Sequence, residues 1–168
     1  MKISVRASAL AIAVAAGASL VVPLAVPASA ALTPSVACAK VNAPPVKNGK
    51  LASVYSACTP AALAAGGNSL TKVDTSGPTS GKLINTITWK NGKGTTKTSI
   101  KYAGAKTNGK CKAPTKRVTI TGSVVSSTGA AAKIIKNGEP LTGSVCAITA
   151  AGPNQGLTVI EPGTKFKL

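Results

Sequence analysis

An Asn-Gly pair set between two alternating runs constrains this chain more than any other feature. Asn91-Gly92 separates the run from Leu83 to Trp89 from the run Gly94 to Tyr102. A type I′ hairpin turn needs positive φ at both central residues, and Asn-Gly meets that need at the lowest cost. With this pair as the turn, Trp89 faces Gly94, Ile87 faces Thr96, Asn85 faces Thr98 and Leu83 faces Ile100. Leu83, Ile87, Trp89, Ile100 and Tyr102 then share one face of the ribbon. Thr86, Thr88, Thr95, Lys97, Ser99 and Lys101 share the other, with Ile84 as an exception. A period of two with one apolar face predicts a sheet that is buried on one side and wet on the other. Trp89 falls on the buried side, so it reads as core rather than as a platform for a ligand. Opposite it, Gly94 leaves bare backbone that the indole can cover.

Asn-Gly also occurs at Asn48, Asn108 and Asn137. The flanks of Asn108 lack alternation, so it reads as a loop, and Asn48 is ambiguous. Asn137-Gly138 predicts a second hairpin in which Lys136 faces Glu139 and Ile134 faces Leu141. Pro140 makes the return strand an edge, or delays its start to about Gly143. Further strands are expected over Val118 to Val125, Gly143 to Thr149, Leu157 to Ile160 and Lys165 to Leu168. The one helix signal is Thr59-Pro60 followed by Ala61-Ala62-Leu63-Ala64-Ala65 and stopped by Gly66-Gly67. Thr59 can cap, Pro suits the first helical position, and Gly ends the run. The expected fold is all-β: an antiparallel β-sandwich or small β-barrel with one short helix near residues 59–65.

The N-terminus has the form of a secretory signal. Lys2 and Arg6 precede an apolar stretch, and Ala28-Ser29-Ala30 is a small-x-small site, which places cleavage after Ala30. The expected organisation is a signal peptide over 1–30, an extended, Pro-rich arm over 31–50 and a single β-rich domain over 51–168. No later segment is long and apolar enough to span a membrane. Cys38, Cys58, Cys111 and Cys146 all follow the cleavage site. An even number in an exported chain implies two disulfides. Four cysteines allow three pairings. Cys38–Cys58 with Cys111–Cys146 is preferred because both close loops of moderate length, while the other two pairings stay open.

The chain has no histidine and only three acids, Asp74, Glu139 and Glu161, against 20 Lys and Arg, a formal charge of +17. Acid–base catalysis and metal binding draw on histidines and clustered carboxylates. Neither is available, so no catalytic, cofactor or metal residues are assigned. Ser69-Leu70-Thr71-Lys72 matches an S-x-x-K spacing, but its partner motifs S-D-N and K-T-G are missing. Ser99 and Lys101 share a strand face, where nothing would desolvate the lysine and lower its pKa.

The charge is concentrated. Between Asp74 and Glu139 there are 12 bases and no acid. Lys90, Lys93, Lys97, Lys101, Lys106, Lys110, Lys112, Lys116 and Arg117 are the candidate polyanion-binding residues. A field of this size attracts anionic polymers such as those of a cell envelope. Lysine offers a point charge rather than a planar fork, and aromatics for stacking are few, so binding would be weak and salt-sensitive. Specific nucleic-acid recognition is disfavoured for the same reasons. The simpler role of the lysines is to keep an exported domain soluble, and both readings stand.

Three short segments carry a resemblance: Ala57-Cys58-Thr59-Pro60-Ala61-Ala62-Leu63, Thr86-Ile87-Thr88-Trp89-Lys90-Asn91-Gly92-Lys93, and Gly109-Lys110-Cys111-Lys112-Ala113-Pro114-Thr115-Lys116. With Thr121-Gly122 they resemble a loose group of uncharacterised small secreted β-rich proteins of actinobacteria. The resemblance implies export and a β-rich domain and transfers no site residues. Secreted subtilisin inhibitors are also small, β-rich and doubly disulfide-linked, and Cys111 to Lys116 offers a basic loop in the place of their inhibitory one. The strands and cysteine spacings otherwise match poorly. The expected function is a secreted, monomeric, non-enzymatic, lysine-rich domain acting at or near the cell envelope without a cofactor. The alternative is a secreted protease inhibitor or an antagonist of another protein.

Overall fold

The computed structural model describes residues 31–73 and 80–168. The signal-peptide reading over 1–30 and the acid Asp74 lie outside the described residues. Strands β1 (Ala37–Ala43), β2 (Lys50–Thr59), β3 (Gly67–Lys72), β4 (Ser80–Trp89), β5 (Gly94–Gly104), β6 (Lys116–Ser127), β7 (Pro140–Ala147) and β8 (Thr158–Ile160) follow one another as an antiparallel meander. β8 pairs back onto β1, so the sheet closes into an eight-stranded barrel. Of the two architectures expected, the barrel is the one formed. Closure gives each of these strands a neighbour on both sides, and the β3–β4 ladder is short, Gly67–Ser69 against Ile87–Trp89.

The last position in the barrel wall is shared. β8 fills it at one end, against Val145–Ala147 and Asn42–Ala43. A ninth strand, β9 (Phe166–Lys167), fills it at the other, against Ala37–Cys38 and Thr142. In the gap between them, Ser144 O accepts from Glu161 N at 2.9 Å and from Thr164 Oγ1 at 3.2 Å. Residues 31–50, expected to be an arm, thus supply β1, a stave hydrogen-bonded on both sides.

The β4–β5 register is the one read from the sequence: Leu83 opposite Ile100, Asn85 opposite Thr98, Ile87 opposite Thr96 and Trp89 opposite Gly94. Asn91 and Gly92 both have positive φ, 57° and 65°. Ile84, the exception to the alternation, is an exposed side chain on the outer wall. The cover over Gly94 is different from that expected. A Cβ there would meet Thr128 O, whereas the Trp89 ring lies over Gly67. The ambiguous Asn48-Gly49 also makes a tight turn with positive φ at both residues, and Lys47 and Lys50 exchange backbone hydrogen bonds across it. Asn108 is in a loop, as expected. Its amide caps the loop by donating to Cys111 O at 2.7 Å.

The hairpin expected at Asn137-Gly138 does not form. Leu141 pairs with Gly122, not Ile134, and Ile134 ends a short helix, α1 (Ala131–Ile134). β6 runs on to Ser127 before the chain turns, and Ala130-Ala131-Ala132 then favours helix over strand. Pro140 is the first residue of β7, a strand position where a missing N–H is tolerated. Glu139 does not pair with the Lys136 ammonium. Its buried carboxylate accepts Ser35 N and Ser35 Oγ at 3.0 and 2.7 Å and Lys136 N at 2.7 Å. The Lys136 ammonium donates instead to Ala132 O and Lys133 O. The expected helix near residues 59–65 is a single 3₁₀ turn, Ala61–Leu63. Thr59 does not cap it; its hydroxyl donates to Ala37 O.

Both preferred disulfides are present, Cys38–Cys58 and Cys111–Cys146. The first links β1 to β2. The second draws the β5–β6 loop down the outside of β7.

Candidate functional site

The two ends of the barrel are filled differently, because inward-facing side chains change size along the staves. At the end holding the β2–β3, β4–β5 and β6–β7 connections, Trp89, Leu63, Ile87, Ile135, Leu141 and Leu168 are all fully buried. The Trp89 indole N–H donates to Thr96 Oγ1 at 2.9 Å, so even this large ring leaves no unpaired donor. Leu63 from the 3₁₀ turn and Ala131 from α1 join the same cluster, and this end is closed.

At the opposite end the inward residues form a smaller cluster of Val118, Val145 and Ala147, joined to the main one through Ile120 and Ile160. Between the clusters lies a cavity of about 170 Å³. Its walls are Val41, Leu83, Ile100, Val118, Ile120 and Val145. Val46, Leu51, Val73 and Ile148 stand nearer the connections of this end. Tyr55 and Phe166, with ring centroids 5.2 Å apart, also line it. Among the described residues, no Lys, Arg, Asp or Glu lines the cavity. For a chain of formal charge +17, the described walls of the cavity carry none of that charge.

A compact polar set meets this apolar space: Ser53, Tyr55, Thr71 and Asn85, all buried. Thr71 Oγ1 donates to Asn85 Oδ1 at 2.6 Å, and Asn85 Nδ2 donates to Tyr55 Oη at 3.1 Å. Asn85 is fixed further by its backbone, since Asn85 O accepts Thr98 Oγ1 at 3.3 Å. Burial pushes the Tyr55 hydroxyl above its ordinary pKa, against the opposing effect of its polar neighbours Ser69, Asn85 and Ser53. It is therefore neutral, a hydrogen-bonding group rather than a proton donor for chemistry. Ser69 Oγ lies nearby, buried, and has no hydrogen-bond partner in full geometry among the described residues. Strand alternation brings the set together: Ser53 and Tyr55 on β2, Ser69 and Thr71 on β3, and Asn85 on β4 all point inward on adjacent staves.

The residues singled out for charge lie on the outside. Lys90 and Lys93 flank the β4–β5 turn at the closed end, Lys97 and Lys101 are on the outer face of β5, and Lys106, Lys110, Lys112 and Lys116 belong to the β5–β6 loop and the start of β6. Strand β5 has 11 residues, so its end-to-end rise of roughly 33 Å separates Lys93 from Lys106. They form a band along the barrel rather than one cluster. Arg117 is engaged elsewhere. Its Nε sits 2.9 Å from Glu161 Oε2 and 3.0 Å from Ser144 Oγ, beneath the loop held by Cys111. Glu161 also accepts Ser144 Oγ at 2.5 Å and Lys110 N at 2.9 Å. These two hydrogen bonds, with Arg117, hold its carboxyl below the ordinary range. This cluster fastens the loop to the outer wall. Ser69 and Lys72 of the S-x-x-K spacing fall on opposite faces of β3, Ser69 buried and Lys72 exposed.

The cavity was not found from the sequence. Its signal is a polar residue at an inward position, Asn85 in line with Leu83 and Ile87, which the alternation itself displays. Comparison with family models, curated proteins and solved structures gave no match.

Proposed function

We propose that this is an exported, non-enzymatic binding domain that carries one small apolar molecule in the open end of its barrel. One observation carries the reading: the mainly apolar cavity of about 170 Å³ between the closed-end core and the barrel mouth, with no charged side chain among the described residues that line it. Eight strands enclose just enough room for side chains to fill the barrel or for one small ligand to enter. Here the described residues fill one end and leave space at the other. An apolar cavity of roughly 150 Å³ is enough to take up a molecule such as benzene. Two disulfides suit an oxidising compartment, and no helix among the described residues is long and apolar enough to cross a membrane. The test is titration of the protein with one-ring hydrocarbons, followed by calorimetry and by the chemical shifts of the Ile100 and Val118 methyls. Saturable binding that moves these methyls supports the carrier reading. No binding, or shifts confined to the outer wall, would remove it.

A second reading, weak attraction of anionic envelope polymers, is favoured by the outer ladder. Lys82 stands directly opposite Lys101, and Lys50 directly opposite Lys72. Like charges so placed destabilise an antiparallel pair, so folding alone gives no reason for them. Retention on immobilised heparin at physiological salt supports this reading, and passage in the flow-through removes it.

A further inference from the structure

The cavity is too polar at one side to be only a hydrophobic slot, and too free of charge to hold an ion. Transferring a charged group into such a site without a counter-charge is strongly unfavourable, and no cationic or anionic side chain among the described residues lines the walls. A ligand's neutral polar group meets a different environment. Thr71 and Ser53 offer hydroxyl oxygens to the cavity, the Asn85 amide is oriented by two of its own hydrogen bonds, and Tyr55 is neutral. The closed-end core needs none of this. Trp89 and Thr96 satisfy each other there, while three adjacent staves of the cavity wall spend four inward positions on Ser53, Tyr55, Thr71 and Asn85, with Ser69 buried beside them. Buried polar side chains weaken a core unless something uses them, and Ser69 Oγ has no partner in full geometry even within the set.

Resting on the carrier reading, we propose that the ligand is an uncharged amphiphile of about one ring in size, with an apolar body and a single hydroxyl or carbonyl group. The apolar body lies against Ile100, Val118, Ile120 and Val145. The polar group is hydrogen-bonded by the Thr71–Asn85–Tyr55–Ser53 set. The volume bounds the body, since about 170 Å³ is close to what a single aromatic ring occupies with its clearance. The lysines outside do not reach the walls, so a carboxylate in place of the hydroxyl would enter without a counter-ion.

Three probes of matched size separate the alternatives: toluene, phenol and benzoate, each titrated into the intact, oxidised protein. A phenol hydroxyl buried without a partner would make phenol bind about tenfold or more weaker than toluene. With its hydrogen bonds made, phenol binds at least as tightly as toluene, and benzoate about tenfold or more weaker than both. Thr71→Val then weakens phenol about fivefold and leaves toluene within about twofold. Should Thr71→Val fail to fold, Ser53→Ala provides the same comparison with a smaller expected loss. Toluene binding with phenol disfavoured overturns the polar-group assignment and leaves the carrier reading intact. Tightest binding of benzoate overturns it too, in favour of an anion held by lysines at the mouth. Failure of all three overturns the carrier reading and this assignment with it.

Discussion

Filling the cavity separates stability from binding, and Ala147→Leu is the substitution that does it. Ala147 is at the end of β7, faces inward beside Val145, and lines the cavity. Leucine adds three carbons to a space that already exists. At about 0.8 kcal/mol per buried methylene, the transfer contributes roughly 2.4 kcal/mol. Ordering the leucine side chain costs about 0.5–1 kcal/mol, so the expected net gain is near 1.5 kcal/mol. An independent bound agrees. At about 24 cal/mol per Å³, a fully dry cavity of about 170 Å³ would cost roughly 4 kcal/mol, and three carbons fill less than half of it. Urea unfolding at neutral pH with both disulfides intact should show the gain as a higher midpoint at unchanged slope. Thermal unfolding should show a rise of about 5 °C for a domain of this size. The same variant should bind toluene at least about tenfold more weakly, because the added carbons occupy its site. A loss of about 1–3 kcal/mol instead would mean overpacking, and would refute the view that this end of the barrel holds usable space. Stabilisation with unchanged toluene affinity would place the ligand elsewhere.

Other consequences follow from particular contacts. Gly94→Ala should be far more destabilising than Gly92→Ala in denaturant titrations. Both have positive φ, but a Cβ at Gly94 would collide with Thr128 O, whereas at Gly92 nothing lies within 4 Å. The Gly92 variant then loses only about 1–2 kcal/mol for the left-handed conformation. Glu161 has its folded pKa held below the ordinary 4.5, so its contribution is full above that value and is lost as the pH falls through the lower, folded one. Glu161→Gln should be less stable at pH 7 and should flatten the acid limb of a stability-versus-pH curve; an unchanged limb would contradict the Arg117–Ser144–Lys110 anchoring. Replacing Cys111 and Cys146 together by Ser removes a link across 35 residues, worth about 3–4 kcal/mol by chain entropy. Proteolysis of that variant should begin in the 105–115 loop, since its tie to β7 is gone.

Much of the β-structure is written in local pattern. The β4–β5 hairpin could be read to the residue, because Asn91-Gly92 permits one turn geometry and a one-residue slip would bury Lys97 and Lys101 in place of Ile100 and Tyr102. The 131–134 helix was missed because the Asn137-Gly138 signal is just as valid for the turn that leads out of a helix into Pro140. β1 is hard to read locally because Pro44 and Pro45 follow it, its sequence has no strong alternation, and one of its two sides is covered by β8 and β9 from the far end of the chain.

A disulfide-linked, lysine-rich, antiparallel β-domain is legible along the chain, because turn chemistry, a period of two and the scarcity of acids are all local properties. Three things need the folded chain: that the sheet closes, that Cys38 meets Cys58 and Cys111 meets Cys146, and that Ser53, Tyr55, Thr71 and Asn85 converge on one space. Closure depends on the short ladders that β8 and β9 make with β1, between segments more than a hundred residues apart. Whether the interior of a closed barrel is full or hollow depends on the sum of side-chain volumes contributed by every stave at one level. No single stretch of sequence contains that sum, and so the cavity, unlike the hairpin that forms part of its wall, appears only when the barrel is assembled.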